Sequence, residues 1–189
     1  SVGVALADPS RWAQGEQVLA DADAALYAAK AAGKATFRQF EEEMRDSAVV
    51  RMGLSQELRS GAASDRFVCH YQPIVDLTTG RVVSVEGLVR WDHPTRGLLE
   101  PTAFIGLAEE TGAITELGLQ VLRDTTVQMS EWWSRGDVSR DVELHVNLSG
   151  RQLEQPDLAE RVRSVLDEVR FPHRQLVLEI TESVAVDMG

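Results

Sequence analysis

The chain holds a single cysteine, Cys69, among its 189 residues, so no disulfide can form within it. That suits a reducing compartment, and a cytoplasmic location is expected. It has no apolar run long enough to cross a bilayer and no signal peptide at its start, so any membrane anchor is expected upstream. It is short of positive charge: 19 Lys and Arg stand against 30 Asp and Glu, a net charge of −11. Nonspecific binding to nucleic-acid polymers or anionic lipid needs a positive field and is argued against. A nucleotide ligand needs only a local positive site or metal ions and stays open. The four histidines, His70, His93, His145 and His173, lack the spacing of a zinc site. There is no internal repeat and no low-complexity segment. What is there, 43% hydrophobic and 26% charged residues, reads as globular, with room for one medium domain or two small ones.

Residues 1–7 are short and apolar, and Asp8, Pro9 and Ser10 break the run. The spacing of Val18, Leu19, Ala22, Leu26 and Ala29 predicts a helix over 16–32, with Gly33 as its C-terminal cap and Tyr27 in the core. A short strand is expected over 35–40 and a charged helix over 41–60, with the domain boundary near its start. From residue 66 strands alternate with helices. Strands are expected over 67–76 and 81–91, joined by a turn at Thr79 and Gly80, then over 142–148 and 176–182. Helices are expected over 102–111 and 157–170, with a longer one burying Ile114, Leu117, Val121, Thr125, Met129 and Trp133. This alternation argues for an α/β fold with a mostly parallel sheet. Ser1 in place of Met, and strand-like runs at both ends, read as cuts inside structure.

Side chains alternate faces along a strand, and here the alternation separates apolar from polar. Val83, Val85, Gly87, Val89 and Trp91 share one face; Val82, Ser84, Glu86, Leu88 and Arg90 share the other. Val142, Leu144, Val146 and Leu148 oppose Glu143, His145, Asn147 and Ser149. Leu176, Leu178 and Ile180 oppose Val177, Glu179 and Thr181. Buried carboxylates are costly unless paired or metal-bound. Glu86, Asn147 and Glu179 are oxygen donors of the kind Mg²⁺ or Mn²⁺ prefers, and Arg90 could hold a phosphate. A bland arrangement meets the same pattern: Glu86 paired with Arg90, Asn147 satisfying backbone groups, Glu179 in solvent. His145 reads as a structural or site-wall residue.

Glu86-Gly87-Leu88-Val89-Arg90-Trp91 resembles the signature of EAL-family cyclic-di-GMP phosphodiesterases, with Gly87 where the name-giving alanine usually stands. With it, four further motifs stand in the family's order, one before it and three after it. They are Tyr71-Gln72-Pro73-Ile74, Pro101-Thr102-Ala103-Phe104-Ile105 with Ala108-Glu109-Glu110-Thr111-Gly112, Val146-Asn147-Leu148-Ser149, and Leu178-Glu179-Ile180-Thr181-Glu182-Ser183. The resemblance implies part of a TIM-type barrel over 51–189, preceded by a helical linker over 41–50. It implies hydrolysis of cyclic-di-GMP to pGpG by water activated by two Mg²⁺ or Mn²⁺ ions, with Glu86, Asn147 and Glu179 as metal ligands. Arg90 would contact a ligand phosphate, and Gln72 and Leu88 would line the dinucleotide site. A catalytic lysine and further acidic ligands would follow Gly189. Residues 51–189 amount to about half to 60% of a barrel of roughly 250 residues, so the chain alone is expected to be inactive. A degenerate, noncatalytic cyclic-di-GMP receptor is the alternative. Ser1-Val2-Gly3-Val4-Ala5, the run from Ala22 to Lys30, and Gly33-Lys34 resemble the end of an α+β GGDEF diguanylate cyclase domain, assigned to 1–40. There Lys30 and Lys34 would approach GTP phosphates. A homodimer is also expected from the family.

Overall fold

The structure is a computed structural model that describes residues 1–7, 15–32, 35–61 and 64–180. Gly33, Lys34, the Asp8–Ser10 break and the Thr181–Glu182–Ser183 part of the last motif lie outside the described residues. The chain divides into two compact units, Ser1–Gln56 and Glu57–Gly189.

In the first unit, β1 (Val2–Val4) pairs in parallel with β2 (Phe37–Gln39), with helix α1 (Gly15–Ala31) between them in sequence. A Cβ at Gly3 would collide with the Ala22 carbonyl oxygen and the Leu26 nitrogen, so β1 packs directly on the backbone of α1. The helix buries small residues, Ala24, Ala25 and Ala29, while Leu19 is exposed. Close approach of strand and helix leaves room for methyl groups and little more. For the same reason Tyr27, expected in the core, is 43% exposed; the Lys30 ammonium and the Arg51 guanidinium each lie 5.3 Å from its ring centroid. Helix α2 (Glu42–Arg59) begins here and runs through the Gln56/Glu57 boundary. Its Arg45 grips both carboxylate oxygens of Asp21, at 2.7 and 2.9 Å.

The second unit is built on a five-stranded sheet. Its elements are β3 (Phe67–Val75), β4 (Val82–His93), β5 (Gly97–Leu99), α3 (Pro101–Thr111), α4 (Ile114–Arg135), β6 (Glu143–Leu148), α5 (Gly150–Leu153), α6 (Leu158–Val169) and β7 (Leu176–Ile180). Strands run in the order β3-β4-β6-β7, with β5 also paired to β4. The pairs β4–β6 and β6–β7 are parallel, but β3 and β5 run antiparallel to β4, so the sheet is mixed rather than mostly parallel. The β3–β4 connection is a tight turn, too short for the crossover that parallel strands need. In it the Asp76 carboxylate accepts from the Thr78 and Thr79 backbone amides, both at 2.8 Å. A bulge follows between Ile74 and Val75, so that Val75 pairs with Val82 and Ile74 with Ser84. Val83 is thereby left 43% exposed instead of joining the buried face. The three-residue strand β5 is too short for its alternation to be read from sequence.

Pro101 starts α3 at a position where its missing N–H costs nothing. Every residue expected on the inner face of α4 is buried, together with Leu122 and Thr126. Trp91 and Phe104 are fully buried, their ring centroids 5.8 Å apart edge to face, and Phe67 lies 5.4 Å from Trp91 and 5.5 Å from Phe104. Val85, Leu144 and Val146 extend this core along the sheet. No helix among the described residues is long and apolar enough to cross a membrane.

Candidate functional site

Cross-strand partners share a face of a sheet, and the register therefore decides which polar groups meet. Gln72 stands opposite Glu86, Glu86 opposite His145, and Asn147 opposite Glu179. Side chains from four strands are thus brought onto the face opposite Val85, Leu144 and Val146. Across this face the Asn147 Nδ2 donates to Glu86 Oε1 at 2.6 Å. The His145 Nδ1 lies 2.5 Å from Glu179 Oε1. An ionised carboxylate only accepts, so Nδ1 carries the proton of that bond. Gln72 and Asn147 are exposed, while Glu86, Leu88, Arg90, His145 and Glu179 are half-buried.

The Glu86–Arg90 pair of the bland arrangement does not form, although the Glu179 side chain is 38% exposed. Glu86 takes its bond from Asn147 and Arg90 pairs elsewhere, so the two do not pair with each other. The partner of Arg90 is Glu100, whose Oε2 receives the Arg90 Nε at 3.0 Å, and an Arg90 terminal nitrogen also donates to the Val89 carbonyl at 3.0 Å. Glu100 was not singled out by the sequence. It precedes the helix-starting Pro101, and only the β4–β5 hairpin and the turn into α3 carry it back to Arg90. Nor does Asn147 serve backbone groups. Just downstream, Ser149 and Gln152 form a reciprocal capping box at the start of α5. The backbone of β4 is pressed from behind: a Cβ at Gly87 would lie 2.6 Å from Thr125 Cγ2 on α4. The glycine between Glu86 and Leu88 is matched to a threonine methyl that fills its missing side chain.

The donor set suits a hard divalent cation, since Glu86, Asn147 and Glu179 offer only oxygen once the Asn147 carboxamide turns its Oδ1 inward. Among the described residues no three His, Cys, Asp or Glu side chains cluster as a metal site. Cys69 is no candidate nucleophile: burial, with the Asp124 charge, pushes its thiol up to about 12. Lys30 belongs to the first unit and packs on Tyr27, while Lys34 lies outside the described residues.

The model of the EAL domain family matches residues 55–188. The chain belongs to the EAL-domain family. It is 36% identical over 187 residues to the cyclic di-GMP phosphodiesterase PdeR of Escherichia coli, covering 99% of this chain and 28% of PdeR. It is 37% identical over 186 residues to MucR of Pseudomonas aeruginosa, a bifunctional diguanylate cyclase/cyclic di-GMP phosphodiesterase, covering 98% of this chain and 27% of MucR. Among solved structures, the PaMucR phosphodiesterase in complex with c-di-GMP is 38% identical, with a TM-score of 0.65 over 70% of this chain and 53% of that one. The chain spans less than a third of the length of the curated relatives it matches. In the EAL domain the mixed α/β architecture is therefore that of the family, and β4 carries its signature strand.

Proposed function

We propose that the protein carrying this chain hydrolyses cyclic-di-GMP to pGpG at the polar face of β3, β4, β6 and β7. The observation that carries this reading is the convergence of Glu86, Asn147 and Glu179, from three neighbouring strands, on one face of the sheet. Similarity to PdeR, and to a PaMucR phosphodiesterase solved with c-di-GMP, supports the same substrate. In this reading Glu86, Asn147 and Glu179 hold two divalent cations, Mg²⁺ or Mn²⁺. When bound, such ions lower the pKa of water and offset charge on a phosphoryl group. Arg90, its Nε fixed by Glu100 and one terminal nitrogen by the Val89 carbonyl, presents its other terminal nitrogen to a phosphate oxygen, and Gln72 and Leu88 line the dinucleotide. Residues 1–40 are the end of a GGDEF domain, a reading supported by matches to PdeR and MucR that extend over nearly the whole chain. Lys30 and Lys34 are its phosphate-contact candidates, residues 41–50 the linker, and GTP its upstream ligand. A homodimer in the cytoplasm completes the proposal.

The test is hydrolysis by the full-length protein, with pGpG measured chromatographically in Mg²⁺ or Mn²⁺ and after chelation. Metal-dependent pGpG formation is expected. Glu86→Gln should lower it on the order of 100-fold or more, because charge stabilisation by a cation is worth several kcal/mol, with the melting temperature unchanged. Folded protein that binds cyclic-di-GMP but forms no pGpG with either metal would establish a receptor instead.

A further inference from the structure

We propose that His145 is a positioning residue for Glu179, orienting that carboxylate for a divalent cation; this rests on the metal-site reading above. His145 is the cross-strand partner of both Glu86 and Val177, so its ring stands on the site face between β4 and β7. Its Nδ1 reaches Glu179 Oε1 at 2.5 Å, which fixes one carboxylate oxygen and leaves the other free to bind a cation. The Glu179 side chain is 38% exposed, and without that bond it would sample several rotamers. The rest of the imidazole argues against a packing role. Its Nε2 is buried with no hydrogen-bond partner; the nearest carboxylate oxygen, on Glu143, is 3.9 Å away. An unsatisfied buried polar atom typically costs about 1–3 kcal/mol. A valine, as at the paired position 177, would fill the space without that cost. The bond to Glu179 is what the imidazole adds. Partners of this kind, which orient metal ligands without touching the metal, typically change affinity about 10- to 100-fold.

The test is Mn²⁺ binding by the full-length protein without substrate, followed by electron paramagnetic resonance, with melting in chelator as the control for folding. His145→Ala should weaken binding at least about 10-fold, and His145→Asn, which keeps a donor near the Nδ1 position, should restore it to within about threefold of wild type. Adding His145→Ala to Glu179→Ala should weaken binding no further than Glu179→Ala alone. Wild-type affinity in His145→Ala, or equal losses in the Ala and Asn variants, would overturn the positioning role while leaving the metal site intact. Wild-type binding in Glu86→Gln and Glu179→Ala would instead remove the metal site, and this proposal with it.

Discussion

Along β6, Leu144, Val146 and Leu148 are buried, while their neighbours Glu143, His145 and Asn147 are half-buried or exposed. Strand β4 divides the same way around Glu86, with Val85, Gly87 and Trp91 buried and Glu86, Leu88 and Arg90 only half-buried. One backbone thus serves two surfaces governed by different physics. The covered face gains its stability from apolar area and tight packing, so its tolerance is set by volume. The open face carries groups that stabilise little and are held by directed bonds, Asn147 to Glu86 and His145 to Glu179, so its tolerance is set by geometry. Substitutions on the covered face should move stability most, and those on the open face should move metal or ligand binding most.

The largest break in that division is expected at Trp91. Its ring is fully buried between Phe67 and Phe104, and Trp91→Ala should cost about 3–5 kcal/mol in urea unfolding. Trp91→Phe should cost markedly less, because the indole Nε1 is buried with no partner and its loss removes a desolvated donor. Equal costs for the two variants would mean that the indole nitrogen contributes a bond.

On β6, and on β4 beyond the bulge, the division was legible in the sequence, because period-two alternation is a property of the strand and survives any topology; on β7 the expected apolar positions Leu178 and Ile180 are exposed instead. Alternation put Glu86, Asn147 and Glu179 on polar faces, and helical spacing likewise picked out six buried positions of α4. Pairings across strands were not legible. Alternation says which face a side chain takes and is silent on its neighbours, so Arg90 was open to Glu86 until the chain path delivered Glu100. Val83 was misplaced because a bulge is a local change of register with no signature in a valine-rich stretch. Tyr27 was misplaced because helical spacing marks the apolar stripe of α1 but not how closely β1 approaches it.

A sharper comparison comes from Gly87, where the two faces are one residue apart. Gly87→Ala would restore the usual signature of the family, yet the added Cβ would stand 2.6 Å from Thr125 Cγ2, on a side chain that is fully buried. The threonine is β-branched and bonded through its Oγ1 to the Val121 carbonyl at 2.7 Å, so it cannot swing aside. The substitution should therefore destabilise by about 1–3 kcal/mol. Thr125→Ser keeps the hydroxyl and removes the methyl, which alone should cost about 0.8 kcal/mol. The two together should be more stable than Gly87→Ala alone, a coupling that a double-mutant cycle measures. A fully additive cycle would show that β4 shifts away from α4, and Glu86 with it.

The smallest effect is expected at the turn that fixes the register of β3 against β4. A slip of one residue there would exchange the two faces of β3 relative to Glu86. The Asp76 carboxylate accepts from the Thr79 and Thr78 amides, and these bonds hold its pKa below the usual carboxylate value. A depressed folded-state pKa means that the unfolded chain binds the proton more readily. The contribution of Asp76 is thus complete above its unfolded value near ~3.9 and is lost as pH falls through the lower folded value. Asp76→Ala should melt slightly below wild type at about pH 7, and the gap should close only as the pH drops below about 4. A gap that stayed constant down to strong acid would mean that the turn relies on Asp76 for its shape and not for its charge.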